Sequence, residues 1–333
     1  MNGFLLGESP ILSWIGMKYS RKISVVIPEY KGASIMGALL QRLDASLCTI
    51  SGNYEIILVN DCSPDDTWSE IKRFAAQDKR IIGLNLSRNY GEHYAISAGL
   101  KYAKGEWIVV MDCDLQNRPE DIPALYQKAQ EGWDIVHARR VHKQFGFWKR
   151  LSSKVFHRLY NQMSGRKSDE TIAEFGIYSA KVIAEYNKLK EVSRSFNFLI
   201  DFLGFRVTAI DVQHDPRADE EGSSYTLGKL LTLAFHSIIA DSNKPLYLSV
   251  ALGFGITVIS FLLAIFNVVA YFFDSTVVPG YTTTIFSIWF ATGILLLMMG
   301  IIGLYIGKIF DQVKQRPIFI VMETVNTEEE ENE

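Results

Sequence analysis

The sequence predicts an α/β domain with a mostly parallel sheet and helices on both faces, followed by interfacial helices and two transmembrane helices. Three observations carry this. Short β-branched runs alternate with longer helical stretches from Ile23 to about Val136, two long uncharged runs lie toward the C-terminus, and an apolar strand ends by delivering two aspartates, Asp112 and Asp114.

The strands are "ISVVI", "EIILVN", "IIGLNL" and "EWIVVMD"; the helices between them cover Ser34–Leu47, Asp65–Gln77 and Glu92–Ala103. Strands separated by crossover helices pair in parallel, and such sheets bind ligands beyond the carboxyl ends of their strands. Asp61 and Asp112 occupy two of those ends. In "LVNDCSPDDTW", Ser63 is expected to cap a helix with Pro64 at its first position and Asp65 and Asp66 in its first turn. That leaves Asp61 for a ligand such as a base or ribose.

After Val136 the pattern changes. Trp148, Leu151, Val155, Leu159 and Met163 form one helical stripe beside Lys149, Arg150, Lys154 and Arg158. This fits a helix at 147–163 lying in a membrane interface, or an ordinary core-facing surface helix. Residues 226–244 are expected to form a juxtamembrane helix. Leu246–Phe273 and Ser275–Gly307 lack any charge, and a span needs about 20 apolar residues. Lysines and arginines flank the pair while the loop between carries only Asp274, so both chain ends are expected on the cytoplasmic side. Gly303 and Gly307 allow close helix packing within one subunit or in a homo-oligomer. The acidic end "TEEEENE" is expected to be disordered.

Composition narrows the choices. The 333-residue chain is 48% hydrophobic with a net charge of −3, which gives a nucleic-acid role no support. Cys48, Cys62 and Cys113 have no paired spacing and read as reduced thiols. Residues 1–20 form an N-terminal extension without the basic region of a cleaved signal, and Met17 is an alternative start.

The stretch "VVMDCDLQN" asks why two carboxylates stand so close. Repulsion between them is offset if a divalent cation binds there, Mg²⁺ or Mn²⁺ being the hard ions that share ligands with phosphate oxygens. A turn or helix cap is the alternative, since Asp is common in both. Neither a P-loop nor a dinucleotide glycine motif occurs. His93 in "YGEHYA" reads as a capping or packing residue, and Cys113 is expected to point into packing.

Taken in order, "SVVIPEY", "LVNDCSPDDTW", "SRNYGEHYAISAGL", "MDCDLQNRPEDI" and "GWDIV" resemble the nucleotide-sugar domain of family 2 glycosyltransferases. With the paired spans, the chain is similar to the polyisoprenyl-phosphate subgroup, which includes bactoprenol glucosyltransferases, undecaprenyl-phosphate aminoarabinose transferases and dolichol-phosphate mannose synthase. The resemblance covers roughly Ile23 to Pro317. It implies a GT-A-like catalytic domain over 21–225, spans over 245–308 and a cytoplasmic tail over 309–333. It implies Asp112, Asp114 and Gln116 as metal ligands, and Pro28, Tyr30, Asp61 and Asp112 around the nucleotide-sugar. Arg140 and Arg217 would meet the acceptor phosphate, with Asp114, Glu174 and Arg140 as catalytic residues; solvated surface charge is the alternative for the arginines.

The sequence departs from the family at three places. "PVYNE" appears as Pro28-Glu29-Tyr30-Lys31-Gly32, Ser224 of "GSSY" stands where relatives carry Lys, and Glu174 of "AEFGIYS" replaces an aspartate often proposed as base. The implied reaction is inverting transfer of a sugar from a nucleotide-sugar, UDP-linked before GDP-linked, to polyprenyl phosphate at the cytoplasmic membrane. A processive polysaccharide synthase would bring a Gln-x-x-Arg-Trp motif, absent here. A non-catalytic scaffold or translocation partner would be expected to have lost Asp-x-Asp, and a transferase with a soluble acceptor would not need the spans.

Overall fold

The structure is a computed structural model and describes residues 21–140, 172–192, 194–213, parts of 246–265, and 280–327. The expectations for the N-terminal extension, the 147–163 and 226–244 helices, the loop at Asp274, Arg217 with "GSSY", and the acidic end lie outside the described residues, as does the side chain of Arg140.

The chain alternates as the periodicity predicts. Strand β1 (Arg21–Glu29) leads to α1 (Met36–Leu47), β2 (Tyr54–Asn60), α2 (Thr67–Gln77), β3 (Ile81–Leu86), α3 (Glu92–Tyr102) and β4 (Gly105–Val110). Then follow α4 (Ile122–Gln130), β5 (Ile135–Arg140), β6 (Ile172–Ser179), α5 (Ala180–Lys188), α6 (Phe196–Phe202) and β7 (Val207–Val212). A long helix, α7 (Tyr281–Val313), precedes a last strand, β8 (Val321–Val325).

The eight strands form one sheet in the order β7-β5-β6-β4-β1-β2-β3-β8. Pairings β4–β1, β1–β2, β2–β3 and β5–β7 are parallel, whereas β4–β6, β5–β6 and β3–β8 are antiparallel. The sheet is therefore mixed but mostly parallel, as expected, with only β6 and β8 running against the other strands. Its parallel half is the part built from crossover helices; β6 and β8 join with reversed direction.

Alternation along β1 sends Val25 and Ile27 to one face and Val26 to the other. Met36, Leu39 and Leu43 of α1, Ile71 of α2 and Leu125 of α4 cover the first face. Ala95 and Ile96 of α3, Val182 and Tyr186 of α5, and Phe196 and Leu199 of α6 cover the second. Each fully buried Leu or Ile side chain contributes about 1.5–3 kcal/mol over an exposed one. This makes the double-faced sheet the rigid platform for its rim.

Helix α2 begins later than expected. Ser63 is not its cap; instead Asp65 Oδ1 accepts from the Thr67 hydroxyl at 2.6 Å, the Thr67 N–H at 3.3 Å and the Ser63 hydroxyl. The acids after Pro64 thus organise the connection, with the helix proper opening at Thr67.

The contacts divide the chain into two compact units. One comprises residues 1–144, 169–221 and 317–333; the other comprises 145–168 and 222–316. The second unit holds the one candidate membrane-spanning helix among the described residues, Phe290–Val313. The earlier apolar run is helical at its described positions between 246 and 265, so two spans are not both in view. Within this unit Met298 Cε lies 3.2 Å from where a Cβ on Gly253 would stand, whereas among the described residues nothing lies within 4 Å of that position on Gly303 or Gly307. In the first unit, β8 returns to the sheet edge from a segment that the sequence suggested was only a tail. Asn326 secures it by donating to the carbonyls of Ala75 at 2.6 Å and Ile81 at 2.9 Å.

Candidate active site

Strands β1, β2 and β4 run in parallel, so Glu29, Asp61 and the Asp112–Asn117 turn emerge on one rim. Strand β6 enters that rim from the opposite direction. Val110 pairs with Gly176, and continuing this register by two residues sets Asp112 level with Glu174. Two strands adjacent in space but far apart in sequence thereby bring together two of the predicted site residues.

A third carboxylate completes the group. Glu92 opens α3, and ligand oxygens of Glu92, Asp112 and Glu174 lie within 4.8 Å of one another. Burial among these groups, followed by the Glu174 charge, pushes Glu92 up to about 7, although its residue keeps solvent exposure. His93 Nδ1 stands 3.6 Å from Glu174 Oε1. Sequence reading passed over Glu92 because an acid in a helix's first turn already has a reason to be there. The available signal was Gly91 just before it.

Gly91 has φ +102°, a conformation that favours glycine. Asp61 holds this bend: its two carboxylate oxygens accept the Tyr90 and Gly91 N–H groups, each at 2.7 Å. Asp61 is buried, and its side chain fixes the turn that presents Glu92 and His93. Asn60, one residue earlier, reaches Asn85 at 2.8 Å and ties the same two strand ends together.

The other predicted residues distribute as follows. Asn117 donates to Asp112 Oδ2 at 3.1 Å, and Asp114 Oδ1 accepts the Gln116 N–H at 3.1 Å, with Leu115 between them at φ +59°. The Asp114 charge is felt at Glu92. The converging acids among the described residues are thus Glu92, Asp112 and Glu174, whereas the sequence had grouped Asp112 with Asp114 and Gln116. Pro28 lies within β1, and Tyr30 just beyond it is 48% exposed, available for stacking. Arg140 ends β5 opposite Val212 of β7. Cys113 packs against the core, as expected, and burial pushes its thiol well up.

An all-oxygen set of crowded carboxylates fits a hard divalent cation: positive charge is what lets them ionise together. No nitrogen or sulfur donor is needed, and Mg²⁺ and Mn²⁺ both suit such a set.

The "Glycosyl transferase family 2" model matches residues 24–187. The uncharacterized glycosyltransferase YkcC of Bacillus subtilis is 33% identical over 306 residues, covering 92% of this chain and 94% of that one. The undecaprenyl-phosphate 4-deoxy-4-formamido-L-arabinose transferase of Yersinia enterocolitica is 32% identical over 316 residues, covering 94% and 96%. Among solved structures, glucosyl-3-phosphoglycerate synthase from Mycobacterium tuberculosis, bound to Mn²⁺, uridine diphosphate and glucosyl-3-phosphoglycerate, is 16% identical. It aligns over 66% of this chain and 78% of its own at a TM-score of 0.47. With full-length relatives above 30% identity, the chain belongs to the family 2 glycosyltransferases and is a glycosyltransferase.

Proposed function

We propose that this glycosyltransferase moves a sugar from a nucleotide-sugar to undecaprenyl phosphate or a related polyprenyl phosphate, with inversion, at the cytoplasmic face of the membrane. The observation that carries this reading is the convergence of Glu92, Asp112 and Glu174 at the carboxyl rim of the sheet. The name of the Yersinia relative, aligned over nearly all of both chains, supports the lipid acceptor. The apolar helix Phe290–Val313 supports a membrane anchor, and two spans with cytoplasmic termini remain our topological reading.

Asp112, with Glu92 or Asp114 and Gln116, would hold Mg²⁺ or Mn²⁺. When bound, the cation supplies charge neutralisation for the departing nucleotide diphosphate. Tyr30, beside Pro28, stacks on or borders the nucleoside, UDP being favoured over GDP. Asp61 serves this pocket by fixing the Tyr90–Gly91 bend. The acceptor phosphate has a second pKa of about 6 and is largely a dianion at neutral pH, so it needs little activation. Glu174, steadied by His93, takes any residual proton and orients the acceptor, while Arg140 and Arg217 pair with phosphate oxygens.

Membranes containing the protein should convert labelled UDP-sugar and undecaprenyl phosphate to a labelled lipid, and chelation should stop the reaction until Mn²⁺ or Mg²⁺ is restored. Transfer only to a water-soluble acceptor would overturn the lipid assignment, and a GDP-sugar preference would reverse the donor assignment. Topology can be read from Cys48 and Cys62, both exposed. A membrane-impermeant thiol reagent should leave them unmodified in intact cells and label them after lysis.

A further inference from the structure

Glu29 ends β1 with a carboxyl group that ordinary packing does not explain. The residue is 1% exposed, and neither carboxyl oxygen meets an N–H or O–H donor among the described residues. Burying such a group is costly, so retaining it calls for a reason. Burial pushes the carboxyl up to about 8, the Cys113 thiol acts against that shift by hydrogen bonding, and the Asp65 charge adds to it.

The space it fills is made by a glycine. A Cβ on Gly32 would overlap Glu29 Oε2, standing 3.2 Å from the carboxyl carbon and 3.8 Å from Cys113 Sγ. Three pieces of the rim therefore meet at this carboxyl: the end of β1, the Tyr30–Gly32 loop, and the Asp112–Asp114 turn through its central residue. Two other ties of the loop run to the connection after β2, Lys31 N–H to Ser63 Oγ at 2.8 Å and Gly32 N–H to Thr67 Oγ1 at 3.2 Å, while the Tyr30 N–H reaches the Cys113 thiol directly. Glu29 is the side-chain link from this loop toward the aspartates, beside the backbone contact of Tyr30. The sequence shows a matching exchange: against the pattern Pro-Val-Tyr-Asn-Glu, the glutamate has gone from position 32 and one has appeared at position 29.

We propose that Glu29 is a positioning residue that supplies, from the strand, the carboxyl group that the family pattern carries at position 32, fixing the Tyr30 loop against the Asp112–Asp114 turn through Cys113. The donor's nucleoside and diphosphate contacts are thereby held in register. This deepens the donor-site reading given above and rests on it.

The test uses the full chain in detergent with Cys48→Ser and Cys62→Ser, leaving Cys113 as the one thiol. Two quantities are followed: calorimetric binding of UDP with Mn²⁺, and the rate at which a small maleimide alkylates Cys113. Glu29→Val should weaken UDP binding and speed alkylation, each about tenfold, while the neutral isostere Glu29→Gln stays within about twofold. The exchange Glu29→Val with Gly32→Glu should restore both to within about threefold, and Gly32→Ala alone should resemble Glu29→Val.

An exchange variant no better than Glu29→Val, or one that does not fold, would overturn the proposal. So would a Glu29→Val chain that matches the parent in both quantities. Failure of the parent chain to bind UDP with Mn²⁺ would instead sink the donor reading, with the alkylation series still deciding the role of Glu29.

Discussion

Asp61 and Asp65, on the β2 side of the rim, give their oxygens to N–H and O–H donors, whereas Glu92, Asp112 and Glu174, on the β4–β6 side, crowd one another. The two groups share one sheet edge and one residue chemistry. Their difference separates carboxylates whose oxygens meet donors of the fold from carboxylates that chiefly face one another. The first kind is satisfied by the fold itself and should matter for stability. The second kind is held in conflict by the fold and should matter for transfer.

The largest effect expected is on the crowded side. Asp112→Ala should lower sugar transfer by about a thousandfold or more while leaving the melting temperature near that of the parent. Undiminished transfer, measured as labelled lipid, would place the reacting centre elsewhere. Glu29 extends the contrast to a buried acid, with a definite sign. Its folded-state pKa of about 8 lies above the ordinary 4.5, so its contribution to stability is complete at low pH and is lost as pH rises through about 8. The parent should lose roughly 4 kcal/mol more than Glu29→Gln between pH 5 and 9, read from denaturant melts in detergent.

On the satisfied side, Asp61→Ala strands two N–H groups and should cost about 3 kcal/mol, with Asp61→Asn costing about half as much. A neutral outcome in denaturation would mean that the Tyr90–Gly91 bend needs no clamp. The smallest effect has the opposite sign. Asp112→Asn should stabilise the metal-free protein by about 1 kcal/mol, an advantage that Mn²⁺ removes by stabilising only the parent. Destabilisation without metal would erase the distinction between the two groups.

Much of this was legible in the chain. The four strands from Ile23 to Asp112 and the helices between them follow from periodicity, because a doubly covered sheet writes its burial into nearly continuous apolar runs. The Asp112 end of β4 was equally visible. Glu92 was not, since its approach to Asp112 depends on a bend set by a carboxylate about thirty residues earlier. Glu174 was singled out by family pattern, but its place beside Asp112 comes from antiparallel register, which local sequence does not encode. Strand β8 was missed for a different reason. "VMETV" is short, follows a membrane-like run, and becomes a strand by pairing with β3. The Glu29–Gly32 exchange was visible as a departure, yet its spatial meaning required knowing that both positions address one space.

The return of β8 has a consequence for how the protein is made. Synthesis proceeds from the N-terminus, so β3 waits with a bare hydrogen-bonding edge until the segment beyond the long apolar helix has left the ribosome. Completion of the sheet then certifies that the apolar helix has been translated too, and a prematurely terminated chain carries an open edge for proteases and chaperones to detect.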